Sequence, residues 1–290
     1  MLHPMDNRAG SQLTSLHQRI ASAPAAHDRA RAASSLSDLA ARCGEEPELA
    51  PLAALIAEPN VKALLAGIFG ASPYLTELIL RNPAALRDAL TAAPEEHFAA
   101  LTRAMSAAVA GTDAIPEAMR LLRLYKSEIA LLMALCDLGG VWPVMTVTRR
   151  LSEAADAAVG AAVDFLFAQA RAKGDWLAPN PAGYIVLAMG KHGAFELNYS
   201  SDIDLIVFYD PAHVRLRAGL EVQHFFVRLT RDLVRLLQER TEHGYVFRTD
   251  LRLRPDPGST PLAISTDAES KRRFRSGNPG DASRDTNGRG

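Results

Sequence analysis

Five residues stand out by type and spacing: Asp202 and Asp204, one residue apart, then Asp250, Arg252 and Arg254, each separated from the next by one residue. Two carboxylates held side by side repel unless positive charge sits between them. A hard divalent ion with oxygen ligands, Mg²⁺ or Mn²⁺, suits such a pair. Planar arginine forks suit phosphate oxygens. Acids for a metal beside arginines for phosphate describe in-line phosphoryl or nucleotidyl transfer. Just upstream, Gly190-Lys191-His192-Gly193 offers backbone that a phosphate can approach closely, and Lys191, Ser200 and Ser201 can donate to its oxygens.

Strands must hold these residues in place. Tyr184–Met189 and Ile203–Tyr209 are short apolar runs rich in β-formers and read as buried strands. Side chains alternate along a strand, so Asp202 and Asp204 share one side while Ile203, Leu205 and Val207 take the other. Residues 245–253 also alternate, which predicts a third strand with Arg248, Asp250, Arg252 and Arg254 on one side. Asp250 is then placed to complete a three-carboxylate site. Between the second and third strands, 213–240 reads as a helix. The predicted unit is strand, loop, strand, helix, strand, a compact α+β arrangement.

Plainer readings stand beside this one. An isolated Asp-x-Asp is common in solvated turns, and alternating Arg and Asp commonly mark an exposed strand face. Gly-Lys-x-Gly is not a P-loop, which needs a glycine five residues before Gly-Lys-Ser/Thr. All three features in this order on one frame favour catalysis.

The rest of the chain is of a different kind. Residues 1–200 hold 45 alanines and residues 201–290 hold 5, so composition divides the chain. Alanine and leucine at helical spacing predict helices at about 28–43, 47–57, 60–69, 73–80, 83–91, 95–110, 115–138, 142–149 and 151–172. Their stops are Gly70, Asn82-Pro83, Gly111 and Gly139-Gly140. The expected organisation is a flexible lead-in over 1–27, a helical region over 28–180, an α+β domain over 181–266 and a disordered tail over 267–290. The tail reading rests on a stretch from Lys271 with Phe274 as its one large apolar residue.

The net charge of −1 gives no general basic field for nucleic acid. No basic-then-apolar leader opens the chain and no long apolar run crosses it, so no membrane role and a cytoplasmic location are expected. Cys43 and Cys136 form no motif, Trp142 and Trp176 are expected to pack, and the histidines lack zinc spacing.

The stretch from Gly190-Lys191 through Glu196-Leu197-Asn198-Tyr199-Ser200-Ser201-Asp202-Ile203-Asp204-Leu205-Ile206, followed by Phe247-Arg248-Thr249-Asp250-Leu251-Arg252-Leu253-Arg254-Pro255, resembles the bifunctional glutamine synthetase adenylyltransferase/adenylyl-removing family. Ala71-Ser72-Pro73-Tyr74-Leu75 and the run from Glu128 to Leu138 extend the likeness over roughly 60–266. The lysine after the glycine and the Asn-Tyr-Ser-Ser run resemble the adenylyl-removing N-terminal half. The resemblance implies a polymerase-β-like nucleotidyltransferase domain with a small mixed sheet, behind an all-helical region. It implies phosphorolysis of adenylylated glutamine synthetase, releasing ADP and restoring the tyrosine hydroxyl. Asp202, Asp204 and Asp250 would hold Mg²⁺ or Mn²⁺. Gly190, Lys191, Ser200, Ser201, Arg252 and Arg254 would hold nucleotide (ADP or ATP) and phosphate. Glutamine synthetase and a PII signalling protein are the implied partners.

The chain departs from the family pattern at Ala194 and Phe195, where members carry a glycine and a charged residue. Ala194 is expected to strain a loop that needs positive φ, and His192 is expected on the loop surface. Members also continue past Ser265 with packing helices, a regulatory region and a second catalytic domain. The polar tail here is read as truncation, with apolar surface left open. Two rivals follow: a catalytically silent module that binds glutamine synthetase or PII, and a nucleic-acid nucleotidyltransferase, which the neutral charge disfavours.

Overall fold

The computed structural model describes residues 14–254 and 258–267. A short helix α1 (Leu16–Arg19) leads into α2 (Arg29–Glu45), a 3₁₀ turn at Pro47–Leu49, then α3 (Ala50–Ala57), α4 (Pro59–Ala71), α5 (Pro73–Arg81) and α6 (Pro83–Thr91). Three longer helices follow, α7 (Pro94–Ala110), α8 (Ile115–Leu138) and α9 (Val144–Ala172). Proline occupies the first turn of each helix from α3 to α8, where its missing N–H costs no intrahelical bond. Asp28, Ser72 and Asn82 cap α2, α5 and α6 by accepting from the amides of Arg31, Leu75 and Ala85. The break expected near residue 150 is absent: α9 runs straight through Arg149-Arg150, because no glycine or proline interrupts it there.

The α+β part contains β1 (Tyr184–Met189), the one-turn helix α10 (Gly190–Gly193), β2 (Ile203–Tyr209), a 3₁₀ turn at Pro211–His213, α11 (Val222–Gln238), β3 (Thr249–Asp250) and β4 (Ala263–Ser265). Strand β1 runs antiparallel to β2, from Tyr184 opposite Tyr209 to Met189 opposite Asp204. Strands β3 and β4 lie in succession along the other edge of β2, both parallel to it. The sheet is therefore mixed, as expected for the fold class.

Two expected elements are shorter. Helix α11 begins at Val222 rather than 213, with the Glu221 carboxylate accepting from the amides of Gln223 and His224. The strand predicted over 245–253 is only two residues long. The amides of Val246 and Phe247 instead donate to the Leu237 carbonyl, closing the C-terminus of α11.

One face of the sheet packs on α9 and α11. Tyr184 and Tyr209 meet Phe226, and Trp176 stacks on Phe225 at 5.8 Å. A single hydrophobic core runs from Leu16 to Ala263, so no gap in packing marks the expected boundary at 180. Residues 14–27, expected to be a flexible lead-in, are packed, with Leu16 and Ile20 buried. The tail reading for 267–290 lies outside the described residues from 268 onward. The other sheet face is open: Ile185 and Leu187 are exposed and stand opposite Phe208 and Ile206. No single described helix is long and apolar enough to cross a membrane.

Candidate active site

The site is built where β1 turns into α10 and β2 begins. Gly190 has φ +54, and a Cβ there would lie 2.5 Å from Asp204 Oδ2. Only glycine leaves this carboxylate its place. The turn is anchored from below: the His192 ring is 2% exposed and its Nε2 pairs with Asp156 Oδ1 on α9 at 2.8 Å. His192 is thus buried against α9, not on the loop surface, and its Nδ1 has no partner among the described residues. Ala194 takes ordinary helical angles (φ −86). The left-handed residue is its neighbour Phe195 (φ +59), whose ring lies 5.0 Å from the Arg149 guanidinium. Positive φ is required one residue later than expected.

Asp204 and Asp250 stand side by side at one end of the open sheet face. Asp204 and Asp250 are register partners on the parallel strands β2 and β3, and Asp202 lies just before β2. Arg248 Nε donates to Asp202 Oδ1, and its Nη2 donates to the Ser200 carbonyl at 2.7 Å. Arg252 folds back on Asp250: its amide donates to Oδ1 at 2.7 Å and its Nη2 to Oδ2 at 2.5 Å. That guanidinium, followed by the Arg252 amide, holds the Asp250 carboxyl below the usual carboxylate range. Asp250 in turn raises the Arg252 pKa, with smaller contributions from Asp202 and Asp204. All three acids therefore act on one guanidinium.

The remaining residues singled out in the sequence are divided. Lys191 is exposed on α10, and Ser200 is exposed in the loop before β2. Asn198 organises that loop, accepting at Oδ1 from the Ser200 amide and the Ser201 hydroxyl. The Tyr199 hydroxyl ties it to α8 by donating to Asp137 Oδ2 at 3.1 Å. Arg254 does not share a strand face with Arg252. The strand ends at Asp250, and Arg254 donates to the carbonyls of Leu251 and Thr260 instead.

Among the described residues, no group of three His, Cys, Asp or Glu is drawn together closely enough to hold a metal ion. Asp202 and Asp250 have their oxygens turned to their own arginines. The chemistry of the donor set still suits a hard dication: three carboxylates, two in cross-strand register, at a site that already attracts positive charge.

A cleft of about 520 Å³ opens beside Ser200 and Ser201, between α5, α8 and the loop after α11. Its floor includes Lys126, and Arg123 one turn earlier is 1% exposed. Arg123 donates to the carbonyls of Met119, Leu236, Glu239 and Gly244, so it fixes the loop that leads to Asp250. Arg123, Lys126 and Asp156 were not singled out from the sequence, where each reads as one polar position on a helix. Cys43 and Cys136 are buried free thiols, and both tryptophans pack as expected.

A mixed sheet with acids on adjacent parallel strands, a glycine turn beside them and helices behind defines a nucleotidyltransferase domain. Residues 62–278 match the family described as glutamate-ammonia ligase adenylyltransferase, and the chain belongs to that family. It is 48% identical over 278 residues to the bifunctional glutamine synthetase adenylyltransferase/adenylyl-removing enzyme of Bradyrhizobium diazoefficiens, covering 92% of this chain and 27% of that protein. The Rhodopseudomonas palustris (strain CGA009) enzyme of the same name is 47% identical over 87% of this chain and 26% of its own length. The Brucella suis enzyme is 48% identical over 83% and 25%. The chain thus spans about a quarter of the length of these relatives.

Proposed function

We propose that this chain carries the site that removes AMP from adenylylated glutamine synthetase. A phosphate oxygen attacks the adenylyl phosphorus, the bond to the tyrosyl oxygen breaks, and ADP and a free tyrosine hydroxyl result. The observation that carries the reading is the register of Asp204 with Asp250, with Asp202 two residues upstream and Arg252 bonded to Asp250. The names of the relatives support the substrate.

Asp202, Asp204 and Asp250 are the residues to hold Mg²⁺ or Mn²⁺, which would neutralise the charge of the transferred group. Arg252, once released from Asp250, is free to hold a phosphate bidentately. Lys191 on α10 and Ser200 in the loop before β2 are exposed and are proposed as further phosphate donors. Ser201 is engaged with Asn198, Gly190 makes room for Asp204, and Arg254 braces the loop after β3, so these three position the others. A PII protein as regulator and a cytoplasmic location belong to the same reading.

A second reading, a module that docks on glutamine synthetase or PII without turnover, draws on the pairing of Asp202 and Asp250 with Arg248 and Arg252. One assay separates the two. Release of labelled ADP from adenylylated glutamine synthetase, with phosphate and Mg²⁺, is compared between this chain and its Asp202→Asn/Asp204→Asn variant. Turnover lost in the variant supports the enzyme. No turnover from the folded chain leaves the docking module.

A further inference from the structure

We propose that the 520 Å³ cleft beside Ser200 is a subsite for an adenylate phosphate, with Lys126 as its anion anchor and tyrosine rings as its walls. The existence of an anion site follows from the cleft itself, while the identity of the ligand as adenylate rests on the reaction proposed above.

The volume lies in the range of small-ligand sites. Three tyrosines line it, Tyr74, Tyr199 and Tyr245, and they are 54%, 43% and 40% exposed. Exposed aromatic rings grouped around one cleft suit a flat base, which stacks on such faces. Tyr199 is fixed by its bond to Asp137, so at least one wall is already ordered.

Lys126 has the character of an anchor in want of an anion. Its ammonium lies 4.3 Å from the centre of the Phe247 ring, and among the described residues no carboxylate is within ion-pair distance. Burial alone pushes its pKa down to about 8. A desolvated cation without an acid is costly, and a phosphate entering the cleft would relieve that cost. The acids of the cleft do not serve: Glu77 is bound to Arg81 at 2.5 Å, and Glu242 projects into solvent. Arg81 and Arg240 add further cations to the lining. Ser200 and Ser201 line the cleft and immediately precede Asp202 in the chain, while none of the three acids lines it.

Two sources carry this chemistry, a free nucleotide and an adenylyl ester on a protein tyrosine. Calorimetric titration of the chain without divalent metal, against AMP, ADP and an O-adenylyl-tyrosine peptide, distinguishes them. The wild-type chain is expected to bind at least one. Lys126→Met, which keeps the stem over Phe247 and removes the charge, is expected to weaken that binding about 10-fold or more, the size of a charge-assisted bond. Binding of AMP identifies free nucleotide, and binding of the peptide alone identifies the ester. Arg240→Gln is the second probe, expected to weaken binding about threefold, and it carries the test if Lys126→Met fails to fold. Binding within twofold of wild type in both variants, or no binding of any ligand at millimolar concentration by a chain with native circular dichroism, overturns the subsite. Absent phosphorolysis with Lys126-dependent binding sinks the reaction and leaves the subsite. Turnover and binding both unchanged in Lys126→Met do the reverse.

Discussion

Replacing Arg123 with methionine tests how the helical region controls the site. The guanidinium is buried, and among the described residues no carboxylate lies within ion-pair distance of it; its hydrogen-bond partners are four carbonyls. Met119 O lies inside α8 and keeps its helical bond, and Gly244 O also accepts from the Thr241 amide. The carbonyls of Leu236 and Glu239, at and just past the end of α11, lose the donor that Arg123 supplies. Bonds from a charged donor contribute about 1.5–3 kcal/mol each, so losing two costs roughly 3–6 kcal/mol. Relief of the buried charge returns part of this, because burial already disfavours the cation and pushes its pKa down. A net loss of about 3 kcal/mol is expected, or roughly 6–12 °C in Tm for a chain of this size. Urea unfolding followed by circular dichroism reads the first quantity and calorimetry the second. Lysine at 123 should rescue little, since one ammonium cannot span carbonyls that a fork reaches together. A loss below about 1 kcal/mol with Arg123→Met would refute the account of Arg123 as the clamp on α11.

Gly190→Ala should lower Tm by a few degrees, because a left-handed alanine costs about 1–2 kcal/mol, and should cut turnover at least about 10-fold by displacing Asp204. Unchanged ADP release would dismiss the close approach at 2.5 Å. Ala194→Gly should give no stabilisation, since Ala194 has helical angles and glycine there costs about 0.5–1 kcal/mol; a higher Tm would restore the strain expected from the sequence. For Asp250, a folded pKa held below its ordinary 3.8 means that its stabilising contribution is full above that value. The contribution disappears as pH falls through the lower folded value. Acid unfolding of the wild type should therefore be steeper below about pH 4 than that of Arg252→Gln, and parallel curves would count against the pairing.

The helices were legible because their ends are chemical: Ser72-Pro73 and Asn82-Pro83 announce a cap and a first turn together. The first two strands were legible for a similar reason, apolar β-formers bounded by glycine and aspartate. The third was misread although residues 245–253 alternate as a strand should. Val246 and Phe247 spend their amides on the last turn of α11, a demand invisible in their own sequence. Strand β4 is three residues long, too short for any period to show. At the site, carboxylate spacing could be read directly, because two residues apart on a strand is a geometric statement. The partners of those carboxylates could not. Nothing local to Arg123 says that it bonds a carbonyl at Leu236, and nothing local to His192 says that it reaches Asp156.

The contrast between the two kinds of arginine explains how a closed set of ion pairs is compatible with the proposed catalysis. Arg252 is 84% exposed, and its bond to Asp250 faces water that competes for both partners. Such exposed pairs exchange readily with solvent and with other ions. A phosphate with its own charge, or a dication at the acids, can therefore displace Arg252 without unfolding anything. Arg123 is held on all sides and cannot move on the same terms. The exposed guanidinium is the one that the proposed reaction would bring to phosphate, and the buried one fixes the loop between α11 and β3. Asp250 thus stays opposite Asp204 whether Arg252 is bound to it or to a phosphate. Rigidity at Arg123 is what permits exchange at Arg252.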